Sequence, residues 1–406
     1  MGFVNETGPK GHPMETLVRF GKSFVFQKSS FEFTADHLQA ETVALAERHG
    51  LVPVLWNGLR HSLREAGTPV LENLRQKART VGVKNLLFSA ELLRVLDLFA
   101  YNGIEAVPYK GPSLAVELYG DVKLRQFSDL DVFFRKKDFH RVKEVLTKER
   151  YRPHRPLTPL QEEAFLRNRT NYGEYNYFRD DNLVYLEMHW STNPGFMVFP
   201  VQEDDLWKNL RRITFLSREI PAFSPENLLM ILSVHGFKHR WNRLCWLLDL
   251  ALLLRKFPRM DVDLIRKRIR DPAASNTFLT GVLAAEELFG PLGATTGELS
   301  KAARPKAKAL AEETTASFLG GARGSKASAV FYHASAHEGA LGKCRYICGL
   351  LGSLNTEDLL GRDLPRRLTW AWYPLRWLRI GREAFFGEGR RKTSKRAEKA
   401  RARQDK

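Results

Sequence analysis

The chain has 406 residues, 43% of them apolar, with a formal net charge of +18. That length is enough for about two or three domains, and the apolar content excludes a disordered chain. Nine Lys or Arg and two acidic residues between Arg390 and Lys406 supply +7 of the charge. A basic chain favours anionic partners such as nucleotides, nucleic acid or acidic lipid, without choosing among them. Three cysteines, Cys245, Cys344 and Cys348, form no disulfide framework, and no third and fourth ligand accompany the last two. No basic segment followed by an apolar run opens the chain, Glu6 breaks a myristoylation pattern, and the run Leu244–Leu254 is too short to span a bilayer. The expectation is a cytoplasmic protein.

In chain order, residues 1–33 have weak periodicity and read as an arm. Thr34 is a candidate N-cap for a helix over Ala35–His49, and a second helix is predicted over Val54–Ala66 after the break at Gly50. A long helix over Pro69–Tyr101 follows, which Gly82 could divide. These helices, residues 34–102, carry no clustered chemistry and read as a packing platform for a sheet.

The stretch from Val107 to Phe134 is the chemical centre of the chain. A strand over Ile104–Tyr109 turns at Lys110-Gly111-Pro112-Ser113 into a helix over Leu114–Tyr119, and a second strand runs Asp129–Phe134. Side chains alternate along a strand, so Asp129 and Asp131 share one face and Leu130, Val132 and Phe134 the other. Paired carboxylates are costly without a cation, and Mg²⁺ is held by a few carboxylates plus substrate phosphates. The Gly111 turn opens a helix whose free N–H groups suit a phosphate. The structural alternative pairs Asp129 and Asp131 with Lys123 and Arg125, and makes Lys110 a solvated strand end.

Lys137–Glu149 and Pro156–Arg167 read as helices, with a short strand over Tyr151–Arg155. Asn171–Phe178 and Leu183–Trp190 read as a β-hairpin around Asp180-Asp181-Asn182. In its second arm Val184, Leu186, Met188 and Trp190 face one way. Tyr185, Glu187 and His189 face the other, so Glu187 is a candidate third carboxylate. His189 could position an acceptor, act as a base, or hydrogen-bond within the core.

Glu226–Leu254 is helical by periodicity with a break near Arg240–Arg243, and places His235, His239, Arg243 and Trp246 along one side. The two histidines have zinc-ligand spacing, but Gly236 stands where a zinc-protease signature has Glu, and no third ligand is evident. Two readings remain: a cationic and aromatic wall beside a nucleotide, made of His235, Lys238, His239, Arg240 and Trp241, or a structural helix. Further helices are predicted over Val262–Arg270, Thr277–Phe289, Pro305–Leu319 and His333–Leu351, with a Gly-rich linker over Gly320–Ser328. Leu364–Phe386 mixes Trp370, Trp372 and Trp377 with arginines, suiting either an anionic membrane surface or a packed C-terminal helix. The tail from Gly387 reads as disordered and basic, with weak, salt-dependent RNA binding as a side expectation.

Lys110-Gly111, Leu118-Tyr119-Gly120, Leu124-Arg125, Ser128-Asp129-Leu130-Asp131, Glu187-Met188-His189-Trp190, His235-Gly236, His239-Arg240-Trp241, Trp246 and Asp249 occur in that order. This set resembles an uncharacterised bacterial nucleotidyltransferase family, family 5 of the polymerase-beta-like nucleotidyltransferase superfamily, over roughly residues 40–255. The resemblance implies an α+β fold: a mixed-sheet core flanked by helical N- and C-terminal regions. The expected division is an arm over 1–33, a helical region over 34–102, a catalytic core over 103–200, a helical domain over 201–320, a linker and Trp/Arg-rich segment over 321–386, and a tail over 387–406. The resemblance also implies transfer of a nucleoside monophosphate from an NTP, ATP first, to a hydroxyl or phosphate, releasing pyrophosphate. Asp129, Asp131 and Glu187 would be the catalytic and metal-binding residues, for Mg²⁺ or Mn²⁺. Glu187 stands where the wider superfamily has Asp, and Gly111-Pro112-Ser113 where it has Gly-Ser. Lys110, Gly111, Ser113, Arg125, His189, His235 and His239 would contact the nucleotide, with Arg125 reaching a phosphate or bracing Asp129. The acceptor stays open among a small molecule, a glycan precursor, a peptide, a protein and tRNA. The alternatives are a non-catalytic nucleotide- or RNA-binding protein and a toxin-like enzyme modifying tRNA or protein.

Overall fold

The computed structural model describes residues 12–27, 38–60, 68–168, 171–181, 183–319, 326–360, 364 and 366–386. Thr34, most of the Gly-rich linker and the basic tail lie outside them. The elements run α1 (Pro13–Phe26), α2 (Ala40–His49), α3 (Val52–Leu59), α4 (Pro69–Tyr101), β1 (Ala106–Pro108), α5 (Gly111–Leu114), β2 (Leu130–Phe134), α6 (Phe139–Lys148), β3 (Tyr151–Pro153), α7 (Pro159–Arg167), β4 (Glu174–Arg179) and β5 (Tyr185–His189). They continue with α8 (Glu203–Lys208), β6 (Leu210–Phe215), β7 (Arg218–Phe223), α9 (Pro225–Lys238), α10 (Leu244–Lys256), α11 (Val262–Arg268), α12 (Pro272–Phe289), α13 (Ala294–Lys301), α14 (Pro305–Leu319), α15 (Lys326–Ser335), α16 (Gly339–Gly352), α17 (Thr356–Leu359) and α18 (Trp372–Phe386).

Five strands form a mixed sheet in the order β1-β2-β5-β4-β3. β2 and β5 are parallel and the other pairs antiparallel. The α+β class is therefore as expected. Leu130, Val132 and Phe134 of β2, with Leu186 and Met188 of β5, share a core with Phe88, Leu92, Val95 and Phe99 of α4. Burying that face leaves Asp131, Glu187 and His189 on the other. α4 keeps its predicted bounds, starting at the Thr68 cap, whose hydroxyl accepts from Leu71 N–H. It runs unbroken through Gly82, where a Cβ would meet only the Lys123 side chain at 3.6 Å.

A second core takes in Val107 of β1 and Phe133 of β2 and extends away from the sheet. It joins Leu17 of α1 and Leu55 of α3 to Leu247 and Leu250 of α10 and Phe278 and Leu279 of α12. Residues 12–27 are thus no arm: Met14, Leu17, Phe20 and Val25 are buried. The break between α9 and α10 falls where predicted, at Arg240 and Trp241, both with positive φ. It drives the Trp241 indole, fully buried, between Gly236 and Gly281, where a Cβ at either position would overlap the ring.

The β6–β7 hairpin is the element the sequence hid, inside a region expected to be helical. Its turn uses Leu216 and Ser217 at φ 48° and 65°, and the usual Asn-Gly or Asp-Gly signal for such a turn is missing. Its Phe223 ring packs 5.5 Å from Phe133 and 6.0 Å from Tyr109, walling one side of the polar face.

Candidate active site

The parallel register sets Asp131 beside Glu187 and Phe133 beside His189. His189 Nε2 lies 3.3 Å from Asp131 Oδ1 and 3.4 Å from Glu187 Oε2, and its Nδ1 lies 3.7 Å from Glu174 Oε2. Asp131 and His189 are buried, while the Glu187 side chain keeps 22% of its exposure and faces the opening. Lys110 forms an ion pair with Asp131. Tyr109 closes the floor, its ring edge-on to His189 at 5.5 Å.

The turn before α5 explains its own sequence. Gly111 has φ +56°, and a Cβ there would sit 3.2 Å from the Asp129 carbonyl oxygen. Glycine is needed both for the left-handed backbone and for this close approach. Pro112 starts the helix, as suits a residue with fixed φ. Ser113 is buried, and its hydroxyl donates to the Lys110 carbonyl at 2.9 Å.

Electrostatics show a face built around excess negative charge. Burial pushes Asp129 above the ordinary carboxylate range, and the Asp131 and Glu187 charges add to it. For Asp131, burial is outweighed by Lys110 and His189, which hold it low. Burial also opposes charge on His189, but Asp131, Glu187 and Glu174 raise it to about 9. Burial opposes charge on Lys110 too, but Asp131, Glu187 and Asp129 hold it above the usual lysine value. The proton on His189 and the Lys110 ammonium thus occupy the electrostatic role of a cation.

The donor set fits a divalent metal. One oxygen each from Asp131 and Glu187 and one nitrogen of His189 lie within 4.8 Å of one another. This set is not the Asp129–Asp131–Glu187 trio of the sequence expectation, since His189 takes the third place. Asp129 precedes β2 and accepts a hydrogen bond from the Ser128 hydroxyl at 3.0 Å. Two carboxylates and an imidazole suit Mn²⁺ as well as Mg²⁺, because nitrogen donors are less typical of Mg²⁺.

Two sequence expectations are corrected. Arg125 contacts neither Asp129 nor an open face. It is buried and donates to both oxygens of Asp249 on α10, Nε at 3.0 Å and Nη2 at 2.9 Å, while the Tyr119 hydroxyl donates to Asp249 at 2.7 Å. Asn85 of α4 donates to the Val122 and Arg125 carbonyls, both at 2.7 Å, so the loop entering β2 is held from two sides. The predicted wall is not cationic at its two histidines. His235 and His239 meet edge-on with ring centroids 4.8 Å apart, and the Trp246 ring lies 5.1 and 5.3 Å away. Burial, then neighbouring positive charges including Lys110, keeps both neutral, His239 at about 3 and His235 well below its usual value. Trp241 belongs to the core, and Arg240 donates to the Ser328 hydroxyl at 3.0 Å.

Sequence reading missed Glu174 and Asn176. Both alternate on β4 with buried Tyr175 and Tyr177, a usable signal, and register sets them opposite His189 and Glu187. The C-terminal Trp/Arg segment packs in part, with Trp372 buried and Arg376 paired with Asp358 of α17. No described helix is long and apolar enough to cross a membrane.

A family model described as an uncharacterised nucleotidyltransferase matches residues 38–290, more than half of the chain. The chain belongs to that nucleotidyltransferase family. No curated protein and no solved structure matches it. The matched span of this nucleotidyltransferase runs from α2 through α12 and holds the turn, both central strands and the Arg125–Asp249 pair. Membership supports nucleotidyl transfer as the reaction class and an NTP as substrate.

Proposed function

We propose that this protein is a divalent-metal-dependent nucleotidyltransferase that moves a nucleoside monophosphate, from ATP first among the NTPs, onto a hydroxyl or phosphate of an acceptor. The observation that carries this reading is the Asp131–Glu187–His189 donor set beside Lys110 and the Gly111 turn. Asp131 and Glu187 would hold the metal, with His189 or Asp129 completing its protein ligands. Such an ion supplies positive charge at the attacking and leaving oxygens.

The chain's own groups do the rest. Lys110 offers a compact positive charge to the triphosphate, and Gly111 leaves room for phosphate against the backbone. Glu187, the most open carboxylate of the set, orients the acceptor hydroxyl and takes its proton. The acceptor oxygen then bonds to the α-phosphorus as the bond to the β-phosphate oxygen breaks, and pyrophosphate leaves.

The test is thermal stability of the purified protein with each of the four NTPs, with and without Mg²⁺ or Mn²⁺. One NTP, ATP by expectation, stabilises only with metal, and Asp131→Asn removes the response. A ligand at about 100 times its Kd adds about 2.7 kcal/mol, which is easily resolved. Failure of every NTP at millimolar concentration, with either metal, overturns the reading.

A further inference from the structure

The polar face of the sheet continues past the metal-donor set into a hollow of about 280 Å³ between β4 and the start of α17. Glu174, Asn176 and Tyr185 line it from the sheet, and Asn355, Thr356 and Glu357 from the α17 side. Register ties it to the chemistry: Glu174 pairs with His189 and Asn176 with Glu187. Glu187 lies next to the hollow, opposite the lining Asn176 and two residues along β5 from the lining Tyr185.

The walls define the occupant. Arg155, the arginine lining this hollow, pairs with Glu357 at 2.6 Å, a carboxylate that Arg379 of α18 also approaches at 3.4 Å. The Glu174 carboxylate, which also lies 3.7 Å from His189 Nδ1, and the Asn176 side-chain oxygen complete the polar lining, the latter buried without a hydrogen-bond partner. Buried polar atoms are nearly always satisfied, so the ligand should bring donors. An anionic ligand would meet the Glu174 carboxylate instead. Rings complete the lining: His154 and Tyr185 lie edge to face at 5.8 Å. Aromatic faces are electron-rich and accept C–H or cationic groups. The volume falls just below the roughly 300–1,000 Å³ of ordinary ligand pockets, so one ring fits and a polynucleotide or protein domain does not.

We infer that this hollow is the acceptor site, and that the acceptor presents a neutral or amine-bearing sugar ring whose hydroxyl receives the nucleotide. The inference rests on the nucleotidyl-transfer reading. Saturation-transfer NMR with glucose, glucosamine and glucose 6-phosphate at millimolar concentration tests it, in wild type and in Thr356→Trp, which fills the hollow. Glu174→Gln is the second variant, and metal-dependent NTP stabilisation is measured on all three proteins. The expected result is binding of glucosamine and glucose but not of glucose 6-phosphate. Affinity should fall at least about tenfold, equivalent to 1.4 kcal/mol, in Thr356→Trp, with glucosamine weakened more than glucose in Glu174→Gln. The NTP response of Thr356→Trp should persist. An intact NTP response with no sugar bound, with a preference for the phosphorylated sugar, or with equal binding in Thr356→Trp overturns the inference and leaves the nucleotidyl-transfer reading standing. Sugar binding without any NTP response overturns both.

Discussion

At the scale of single residues, buried charge is the dominant cost and its compensation names the roles. Arg125 and Asp249 are both buried and satisfy each other. Asp249→Asn should therefore destabilise the protein by about 3–5 kcal/mol, the usual result of leaving one member of a buried pair uncompensated. Urea unfolding reads that loss, and an unchanged midpoint would remove Arg125 from the support of β2. The neutral histidines give a pH signature. Depressed in the folded state, His235 and His239 bind protons more readily when unfolded. Stability then falls as pH drops below the unfolded value of about 6.5, by at most about 1.4 kcal/mol per pH unit for each group. For His239 that loss runs down to about pH 3. His239→Asn should flatten the thermal midpoint between pH 7 and pH 5 relative to wild type. A parallel pH curve in the variant would show that His239 is not the source.

At the scale of elements, two glycine-dependent contacts hold the site and the second core in shape. Gly111→Ala adds a Cβ 3.2 Å from the Asp129 carbonyl at a left-handed φ. A cost of about 1–3 kcal/mol is expected from the strained backbone, with the metal-dependent NTP shift lost because the turn and Asp129 move together. Gly281→Ala instead overlaps Trp241, far from the turn in sequence and chemistry. Overpacking of this kind costs about 1–3 kcal/mol or more, and tryptophan fluorescence should report the displaced indole. The element scale also shows where pattern reading succeeds. α4 and the faces of β5 follow from periodicity, because each buries one side only. The β6–β7 hairpin escaped because Leu216 and Ser217 adopt a turn conformation that their identities do not advertise.

At the scale of the whole molecule, the N-terminal and C-terminal helices share one core although about two hundred residues separate them. Removing residues 1–27 would strip Met14, Leu17, Phe20 and Val25 from it. Each large apolar side chain contributes about 1.5–3 kcal/mol when buried, so the truncated chain should show a sharp loss of amide-exchange protection in α10 and α12. Retained protection there would make α1 dispensable.

Much of the candidate site was legible in order along the chain: the Lys110-Gly111 turn, Asp131 two residues beyond Asp129, and Glu187 and His189 on one strand face. Those features are local, since alternation along a strand and the backbone freedom of glycine need no knowledge of neighbours. Which strands are neighbours is a different matter. Pairing β2 with β5 in parallel puts His189 rather than Asp129 among the closest donors; the antiparallel β4 brings Glu174 to its other nitrogen, and packing against α10 commits Arg125 to Asp249. Burial lowers the proton affinity of His235 and His239, while the carboxylates around His189 raise its own against burial, because proton affinity depends on the desolvation and charges that only the assembled fold supplies.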